Sequence, residues 1–272
     1  MRFGVCMDLA GDLRNKSLET HLEMIRSSGF DFAEVNLAPL ESVSVEEFSQ
    51  IRSALRRSGL SCPRANCLFP GSFRLVGPGA SPAAVVSYLN NVLPKAEALG
   101  VQIIALGSGS ARRIPDGYDR QAASREFVSC ARAIADTAAS HHMRIALEHL
   151  NPTETNLLTT VKEAVHSTEQ VDHPACGFLF DYYHVDLQTD DINQVAAHGD
   201  RLLHVHIALP VSRLFPFPED AAIMEPFFRI LQKAGYCDTV SIEGGMRKDF
   251  SYEENLQKSM ELLKHASLPF SV

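Results

Sequence analysis

The sequence predicts an α/β fold, a single-domain (β/α)8 TIM barrel that spans residues 1–272. A length of 272 residues is typical of one such barrel. Short apolar segments alternate with longer amphipathic segments eight times along the chain. Near-continuous apolar segments such as Val101–Leu106 suit parallel strands that are covered on both faces. A doubly wound open sheet is the alternative to a closed barrel.

Eight apolar segments are the predicted strands. Each is short, and each is followed by polar residues and then by an amphipathic segment, which is the order of a βα unit. The predicted strands are Phe3–Leu9, Phe32–Leu37, Ser61–Leu68, Val101–Leu106, Arg144–Leu150, Gly177–Tyr183, Leu202–Ala208 and Thr239–Glu243.

Local signals mark the ends of the intervening helices. Three Ser/Thr–Glu pairs fit capping boxes at helix starts, and a Ser–Pro pair fits an N-cap followed by the first helical residue. Four glycines stand just before strands, where a left-handed residue ends a helix. These signals are Ser44 with Glu47, Thr160 with Glu163, Ser251 with Glu254, Ser81 with Pro82, and Gly29, Gly59, Gly100 and Gly235.

The longest irregular segments each follow a predicted strand. They are Phe69–Ala80, Ser108–Tyr118 and Leu209–Asp220. Segments that follow strands build the active face of a (β/α)8 barrel. Their length predicts a pocket that is partly covered, and no linker divides the chain into further domains.

The amino-acid composition and net charge indicate which kinds of binding partner to expect. The apolar fraction is 45%, the charged fraction is 21% and the net charge is −8, which opposes binding to a nucleic acid. The sequence contains no apolar run of about 18 residues, so it predicts no membrane span. The first residues lack the pattern of a signal peptide. Six scattered cysteines without a CxxC pair indicate reduced thiols, so we expect a cytoplasmic protein.

Four polar side chains end consecutive predicted strands. Glu148, Asp181 and Glu243 end the fifth, sixth and eighth strands, and His206 stands near the end of the seventh. In a barrel these positions share one rim, where three carboxylates would repel one another unless a cation lay between them. Three carboxylates and one imidazole suit a divalent ion, with Mn²⁺ first and Mg²⁺, Co²⁺ or Zn²⁺ as alternatives.

Further polar residues stand near these four. His184, Glu154 and Arg213 follow strands six, five and seven, and are candidates to bind oxygens of a substrate. Glu34 and Asn66, near the ends of strands two and three, are candidates for the polar wall of the same pocket. Each has a structural alternative, as a loop anchor, a helix cap or a solvent-exposed charge.

Two more features are weaker. His204 shares a strand face with His206 but lies deeper, which indicates packing or support of a ligand. The run GSGSARR, residues 107–113, combines glycines and arginines that suit a phosphate group, although no helix begins directly after it.

Four stretches of the chain, together with FPGSFRLVGPGAS and ALGSGSARRIPDG, resemble the sugar phosphate isomerase/epimerase branch of the xylose-isomerase-like barrel superfamily. The resemblance covers nearly the whole chain, and the four stretches are LEHLNPTETNLLTT, LFDYYHVDL, LLHVHIALP and VSIEGG. It implies that Glu148, Asp181, His206 and Glu243 bind the metal and that Glu148 and Glu243 are the catalytic acid and base. It also implies substrate contacts for Glu154 and His184, and for Arg213 if one residue is inserted after His206.

The sequence departs from the family pattern at the substrate edge. Leu209 stands where the family usually has an acid three residues after the metal-binding histidine. The following run PFPEDA lacks a glycine that is common there. Both departures put the substrate in question more than the metal ligands.

The resemblance and the rim residues together predict a metal-dependent isomerase or epimerase of sugars or sugar phosphates, with C3 epimerisation of a ketose first. An aldose–ketose isomerase, a dehydratase of a cyclic ketone and an eliminase of an oxidised glycoside fit the same residues. A DNA-repair endonuclease and a non-catalytic sugar-binding barrel are the rivals of another class. Extra histidines expected of the former are absent from strands three and four. By resemblance we also expect a homodimer or homotetramer.

Overall fold

Eight parallel strands close into a barrel in the computed structural model, which describes residues 1–185 and 192–266. Residues 186–191 and 267–272 of the expected 1–272 domain lie outside the described part. The strands follow chain order, and β8 pairs with β1, so the sheet has no free edge. They are β1 (Arg2–Met7), β2 (Phe32–Asn36), β3 (Ser61–Asn66), β4 (Ile103–Leu106), β5 (Arg144–Glu148), β6 (Cys176–Asp181), β7 (Leu202–Ile207) and β8 (Thr239–Ile242). The closed barrel is confirmed, and the open sheet is excluded.

Nine α-helices surround the barrel within the described ranges. They are α1 (Leu9–Arg14), α2 (Leu18–Ser27), α3 (Val45–Ser58), α4 (Pro82–Leu99), α5 (Arg120–Ser140), α6 (Val161–Val171), α7 (Asn193–Ala197), α8 (Ala221–Lys233) and α9 (Tyr252–Ala266). Short 3-10 helices occupy Ala38–Ser42, Gly199–Arg201 and Pro218–Asp220. None of the helices in the described part is both long enough and apolar enough to cross a membrane.

The local signals in the sequence act where they were expected. The Ser44 hydroxyl accepts from the amide of Glu47 at 3.1 Å, while the Glu47 carboxylate accepts from the Ser44 amide at 2.8 Å. Gly59 and Gly100 end α3 and α4 with φ of 70° and 87°, in the left-handed region that a glycine adopts without strain. The predicted capping box and helix-ending glycines are therefore confirmed.

Each of the eight strands differs from the prediction by one or two residues at one or both ends, and two of these differences have a clear local cause. Leu9 does not extend β1 but opens α1, because the Asp8 carboxylate accepts from the amide of Gly11 at 2.9 Å and caps a new helix. Val101 follows the end of α4 and is tied to it, since its amide donates to the carbonyl of Ala96 at 3.1 Å, and β4 begins at Ile103. In both cases a capping hydrogen bond outweighs the apolar character of the residue.

Buried polar side chains come from six of the eight strands, all except β1 and β4. Five apolar side chains from β4 to β7 form a small cluster that is separate from the main core. They are Ile103, Ala105, Ala146, Leu179 and Leu203. The buried polar residues on the strands are Glu34, Arg64, Asn66, Glu148, Asp181, His204, His206, Thr239 and Ser241. Buried polar groups need hydrogen-bond partners or a ligand, so these residues mark the candidate site and its support.

Candidate active site and cation site

The four predicted rim residues lie at one end of the barrel. Glu148 and Asp181 are the last residues of β5 and β6, His206 is the penultimate residue of β7, and Glu243 directly follows β8. The His206 Nδ1 atom lies 3.3 Å from Glu148 Oε1 and 3.7 Å from Glu243 Oε2. Asp181 and His206 are fully buried and Glu148 is 3% exposed. The structure therefore brings these side chains together in a space largely closed to water.

The larger of two sets of possible metal ligands among the described residues contains a different histidine. Glu148, Asp181, His184 and Glu243 each offer one ligand atom, and these atoms all lie within 4.8 Å of one another. We call these four residues the mouth cluster. His184 Nε2 lies 3.5 Å from Asp181 Oδ2. The sequence placed His184 with the substrate, whereas the structure places it beside the carboxylates, so two histidines border the candidate metal site.

The mouth cluster fits a divalent cation. Asp181 Oδ2 and His184 Nε2 are buried and have no hydrogen-bond partner. Buried polar atoms are nearly always paired, so such atoms point to a missing ligand. Three carboxylates around the same small space attract a cation, and hard or borderline divalent ions prefer this donor set.

The pKa shifts at the site describe the same excess of negative charge. Burial, followed by the charges of Glu148 and Glu243, raises the pKa of Asp181 well above its usual range. Burial also raises the pKa of Glu148, although the hydrogen bond from His206 opposes this. Burial alone would lower the pKa of His206, but Glu34 and Glu243 raise it well above its usual value. Protons on these groups offset the excess negative charge, and a bound cation would offset it in their place.

Arg213 bridges two acids at the rim. Its Nη1 donates to Glu154 Oε1 at 3.0 Å and its Nη2 donates to Glu243 Oε2 at 2.8 Å. The guanidinium lies 4.8 Å from the ring centroid of Tyr183. Arg213 itself has φ of 54°, and its carbonyl accepts from the amide of Gly245 at 2.7 Å. The loops after β5, β7 and β8 are thus joined directly above the mouth cluster.

Asn66 and Glu34 occupy different depths. Asn66 Nδ2 donates to Glu243 Oε1 at 2.8 Å, and its Oδ1 is buried without a partner, so it borders the mouth cluster. Glu34 is fully buried beneath the cluster and accepts from the rings of His206 and His204. Burial would raise the pKa of Glu34, but these two histidines lower it well below its usual range. Among the predicted substrate residues, Glu34 is therefore the one that faces the barrel interior.

The GSGSARR run packs beside the mouth through Gly107, and its two arginines contact backbone carbonyls. A Cβ at Gly107 would lie 2.2 Å from Glu148 Oε2, so only glycine leaves room for this carboxylate. Arg112 is fully buried and donates to the carbonyl of Leu106 at 3.1 Å. Arg113 donates to the carbonyl of Thr153 at 2.9 Å. Gly107 therefore allows the close approach of Glu148, and Arg112 Nε and Nη2 are buried without a hydrogen-bond partner.

One supporting residue was missed by the sequence reasoning. His149 Nε2 accepts from the backbone amide of Asp181 at 3.3 Å. Burial and the charge of Arg112 lower the pKa of His149 to about 3, so the ring is neutral and suited to this acceptor role. Its position next to Glu148 was the available signal, but the pattern of strand ends does not reveal which neighbour supports which ligand.

The fold and the rim of carboxylates and histidines define an enzyme-type (β/α)8 barrel with acid–base groups at the carboxyl ends of its strands. The chain belongs to the xylose isomerase-like TIM barrel family, whose model matches residues 22–266. The family resemblance of the sequence is thereby confirmed.

Two similar curated proteins are D-psicose 3-epimerases. A D-psicose 3-epimerase from Enterocloster bolteae is 23% identical over 281 residues, covering 90% of this chain and 89% of the relative. Another, from Ruminiclostridium cellulolyticum, is 23% identical and covers 77% of this chain and 78% of its own length. These names support an enzyme that acts on sugars.

Solved structures share the fold. The D-allulose 3-epimerase from Methylomonas sp. superposes with a TM-score of 0.79 at 19% identity, covering 98% of each chain. The 3-keto-D-glucoside 4-epimerase from E. coli superposes with a TM-score of 0.75 at 18% identity, covering 97% of this chain and 99% of that one. At these identities the likeness establishes the architecture.

Proposed function

We propose that the protein is a divalent-metal-dependent ketose 3-epimerase. The observation that carries the proposal is the convergence of Glu148 and Glu243, whose carboxylates both approach His206 Nδ1, at 3.3 and 3.7 Å. Epimerisation removes a proton from one face of a carbon and returns a proton to the other. Two carboxylates that converge on a common space supply both groups.

The cation would be held by Glu148, Asp181, His206 and Glu243, with His184 beside them. Mn²⁺ is the first choice, and Mg²⁺, Co²⁺ or Zn²⁺ fit the same donors. When bound, the cation polarises the ketose carbonyl and thereby acidifies the neighbouring C–H. Asp181 contributes a buried carboxylate oxygen that has no hydrogen-bond partner. His184 Nδ1 accepts from the amide of Asn151 at 3.2 Å, so the neutral ring carries its hydrogen on Nε2 and borders the cation without a free lone pair there.

The two glutamates carry out the proton transfers. One carboxylate takes the proton from C3 and becomes a carboxylic acid, and the other, already protonated, gives its proton to the opposite face of C3. The C–H bond that breaks and the C–H bond that forms therefore balance, and exchange with water restores the starting protonation states. Each such group contributes a factor of roughly 10²–10⁴ to the rate.

Rim residues orient the sugar. Arg213 and Glu154 pair across the mouth at 3.0 Å, so both can exchange this contact for hydroxyl oxygens of the substrate. Burial, with the charge of nearby cationic groups, lowers the pKa of His184 to about 2, so its ring is a neutral hydrogen-bond partner. The unpaired Oδ1 of Asn66 is an acceptor for a hydroxyl hydrogen.

The charges around the mouth favour an unphosphorylated ketose. Three of the four arginines on the loops after β4, β7 and β8 are already paired: Arg213 with two carboxylates, Arg113 with a carbonyl, and Arg247 with Asp220 and Glu219. The fourth, Arg112, is fully buried and donates to the carbonyl of Leu106, while its Nε and Nη2 have no hydrogen-bond partner. A phosphate group is commonly held by free guanidinium or ammonium groups. An uncharged sugar needs neither.

A panel of ketoses in D₂O tests the proposal. The protein loaded with Mn²⁺ should convert at least one free ketose to its C3 epimer and place deuterium at C3, as followed by NMR after removal of the ion. Protein treated with a chelator is the control and should be inactive. Deuterium at C1 together with an aldose product would instead establish a 1,2-isomerase. Absence of exchange with every ketose by Mn²⁺-loaded protein would refute the proposal.

A further inference from the structure

A column of buried polar side chains lies directly beneath the mouth. Glu34 is fully buried, and its two carboxylate oxygens face two different histidines. Glu34 Oε1 lies 2.9 Å from His206 Nε2, and Oε2 lies 2.8 Å from His204 Nε2. The other ring nitrogen of His206, Nδ1, faces Glu148 and Glu243. His206 therefore connects the mouth cluster to this column.

The column continues to the opposite end of the barrel. His204 Nδ1 lies 2.9 Å from the hydroxyl of Thr239 and 3.1 Å from its carbonyl. Arg64 Nε donates to the same hydroxyl at 2.8 Å, and Arg64 Nη2 donates to Asp238 Oδ2 at 2.7 Å. We call Glu34, His204, Thr239, Arg64 and Asp238 the polar column. The side chain of Asp238 is 45% exposed, so the column ends at the solvent.

Hydrogen-bond directions along the column are consistent with a single arrangement. The Thr239 hydroxyl accepts from Arg64, so its own hydrogen is free to be donated to His204 Nδ1. His204 then carries its hydrogen on Nε2 and donates it to Glu34. An ionised carboxylate can only accept, so the second oxygen of Glu34 receives the Nε2 hydrogen of His206.

We propose that Glu34 is a positioning residue that holds the hydrogen of His206 on Nε2 and so leaves the Nδ1 lone pair in the mouth as a cation ligand. The rest of the column holds Glu34 in place. Groups that orient a metal-binding histidine in this way contribute to metal affinity without touching the metal. The inference rests on the proposed function only in requiring a cation at the mouth, and it is independent of the sugar.

The variant Glu34→Gln makes the argument testable. An amide keeps the shape of the side chain but presents one acceptor and one donor to two N–H groups. One ring must then move its hydrogen to Nδ1 or lose its hydrogen bond, and for His206 this hydrogen occupies the cation position. Removing such support lowers metal affinity by about 10–100-fold.

Two measurements test whether Glu34 holds the hydrogen of His206 on Nε2. In competition with a fluorescent chelator, E34Q should bind Mn²⁺ about 10–100-fold more weakly than the wild type. In the wild-type protein loaded with diamagnetic Mg²⁺ or Zn²⁺, ¹H–¹⁵N spectra of labelled histidines should show His206 with its hydrogen on Nε2. Wild-type affinity in E34Q, or a hydrogen on Nδ1 of His206, would overturn the inference.

Thr239→Val is the matched variant further down the column. It keeps the size of the side chain and all groups at the mouth but removes the hydroxyl that links Arg64 to His204. Its Mn²⁺ affinity should fall by less than that of E34Q. The wild-type spectrum decides even if E34Q fails to fold. A wild type that binds no cation would refute the proposed function, whereas equal binding by wild type and folded E34Q would refute this inference alone.

Discussion

The mouth cluster and the polar column are both buried in the same barrel and share a contact through His206, yet they differ in how they are satisfied. In the mouth cluster three carboxylates meet, and Asp181 Oδ2 and His184 Nε2 have no partner. In the polar column the charges of Arg64 and Asp238 pair, and Glu34 accepts from both histidines. The two polar regions thus have opposite hydrogen-bond balance.

This difference separates a binding site from a support. A buried polar group without a partner costs free energy of about 1–3 kcal/mol, so it persists where a ligand completes it. A fully paired group needs nothing further and serves to hold its neighbours. We therefore expect changes in the mouth to alter chemistry and cation binding, and changes low in the column to alter stability.

The largest expected effect is at the mouth. Glu243→Gln removes one proton-transfer group while keeping the shape of the side chain and its contact with Asn66. The turnover rate for the ketose identified by the panel should fall by about 10²–10⁴-fold. The circular dichroism spectrum and the unfolding midpoint should stay close to those of the wild type. Steady-state kinetics measure the first effect and chemical denaturation the second.

Glu46→Gln is the control for that variant. Glu46 is an exposed acid in the first turn of α3, far in sequence from the mouth residues. It removes the same charge and should leave turnover unchanged. Full activity in Glu243→Gln would show that the mouth does not work by paired carboxylates.

The next effect comes from the cation. A ligand present at about 100 times its dissociation constant stabilises the folded protein by roughly 2.7 kcal/mol. Addition of Mn²⁺ to chelator-treated protein should therefore raise the free energy of unfolding by about this amount. Asp181→Asn, which removes one mouth carboxylate, should lose most of the stabilisation. Denaturant titrations with and without Mn²⁺ provide the measurement.

The cation effect should also depend on pH. The pKa values of Asp181 and Glu148 are raised, by burial first and by neighbouring carboxylates second, so without a cation these groups hold more protons when folded than when unfolded. The stability of the cation-free protein therefore falls as pH rises above the unfolded pKa of about 4. The cation competes with these protons, so its stabilisation should be larger at pH 8 than at pH 6. Equal stabilisation at both values would argue against these carboxyls as ligands.

The smallest expected effect is a loss of stability when the polar column is disrupted. Arg64→Met removes a side chain that is 2% exposed and leaves Thr239 without its donor, while Asp238 can turn to water. The free energy of unfolding should fall by about 2 kcal/mol, since one buried hydrogen-bonded group loses its partner. Turnover should change far less than in Glu243→Gln. Urea denaturation and kinetics on the same sample measure both.

Arg57→Met is the surface counterpart. Arg57 pairs with Glu19 in solvent, where the two side chains are 58% and 73% exposed. Such a pair contributes about 0–1 kcal/mol, so this variant should be nearly as stable as the wild type. A loss in Arg64→Met no greater than that in Arg57→Met would mean that the column gives no support.

Much of the fold was predictable because its causes are local. The apolar segments, the capping pair of Ser44 and Glu47, and the helix-ending Gly59 act through neighbours in the chain. The placement of Glu148 and Asp181 on one rim also followed, because consecutive parallel strands of a barrel end on the same side. Boundaries failed where a cap competed with apolar character, as at Asp8 and Leu9.

The site was predictable only in part. The sequence pattern places Glu34 and His206 near the ends of two strands, but it does not show that Glu34 lies under His206 rather than beside the substrate. Depth in a barrel depends on strand tilt and register, which no single strand encodes. For the same reason, the sequence did not reveal that His184 lies close to Asp181 or that His149 accepts from the Asp181 amide.

The sequence by itself determined the closed barrel, the polar residues of the rim and the excess of acid there, because periodicity, capping and residue type act over a few positions. Only the tertiary structure decided which of these groups are paired and which are not. Partners such as Arg64 and Thr239, or His204 and Glu34, stand 175 and 170 residues apart and meet only when the barrel closes. Hydrogen bonds form over about 3 Å. A shift of one residue in strand register would therefore break the pairs of the polar column and move other side chains into the mouth.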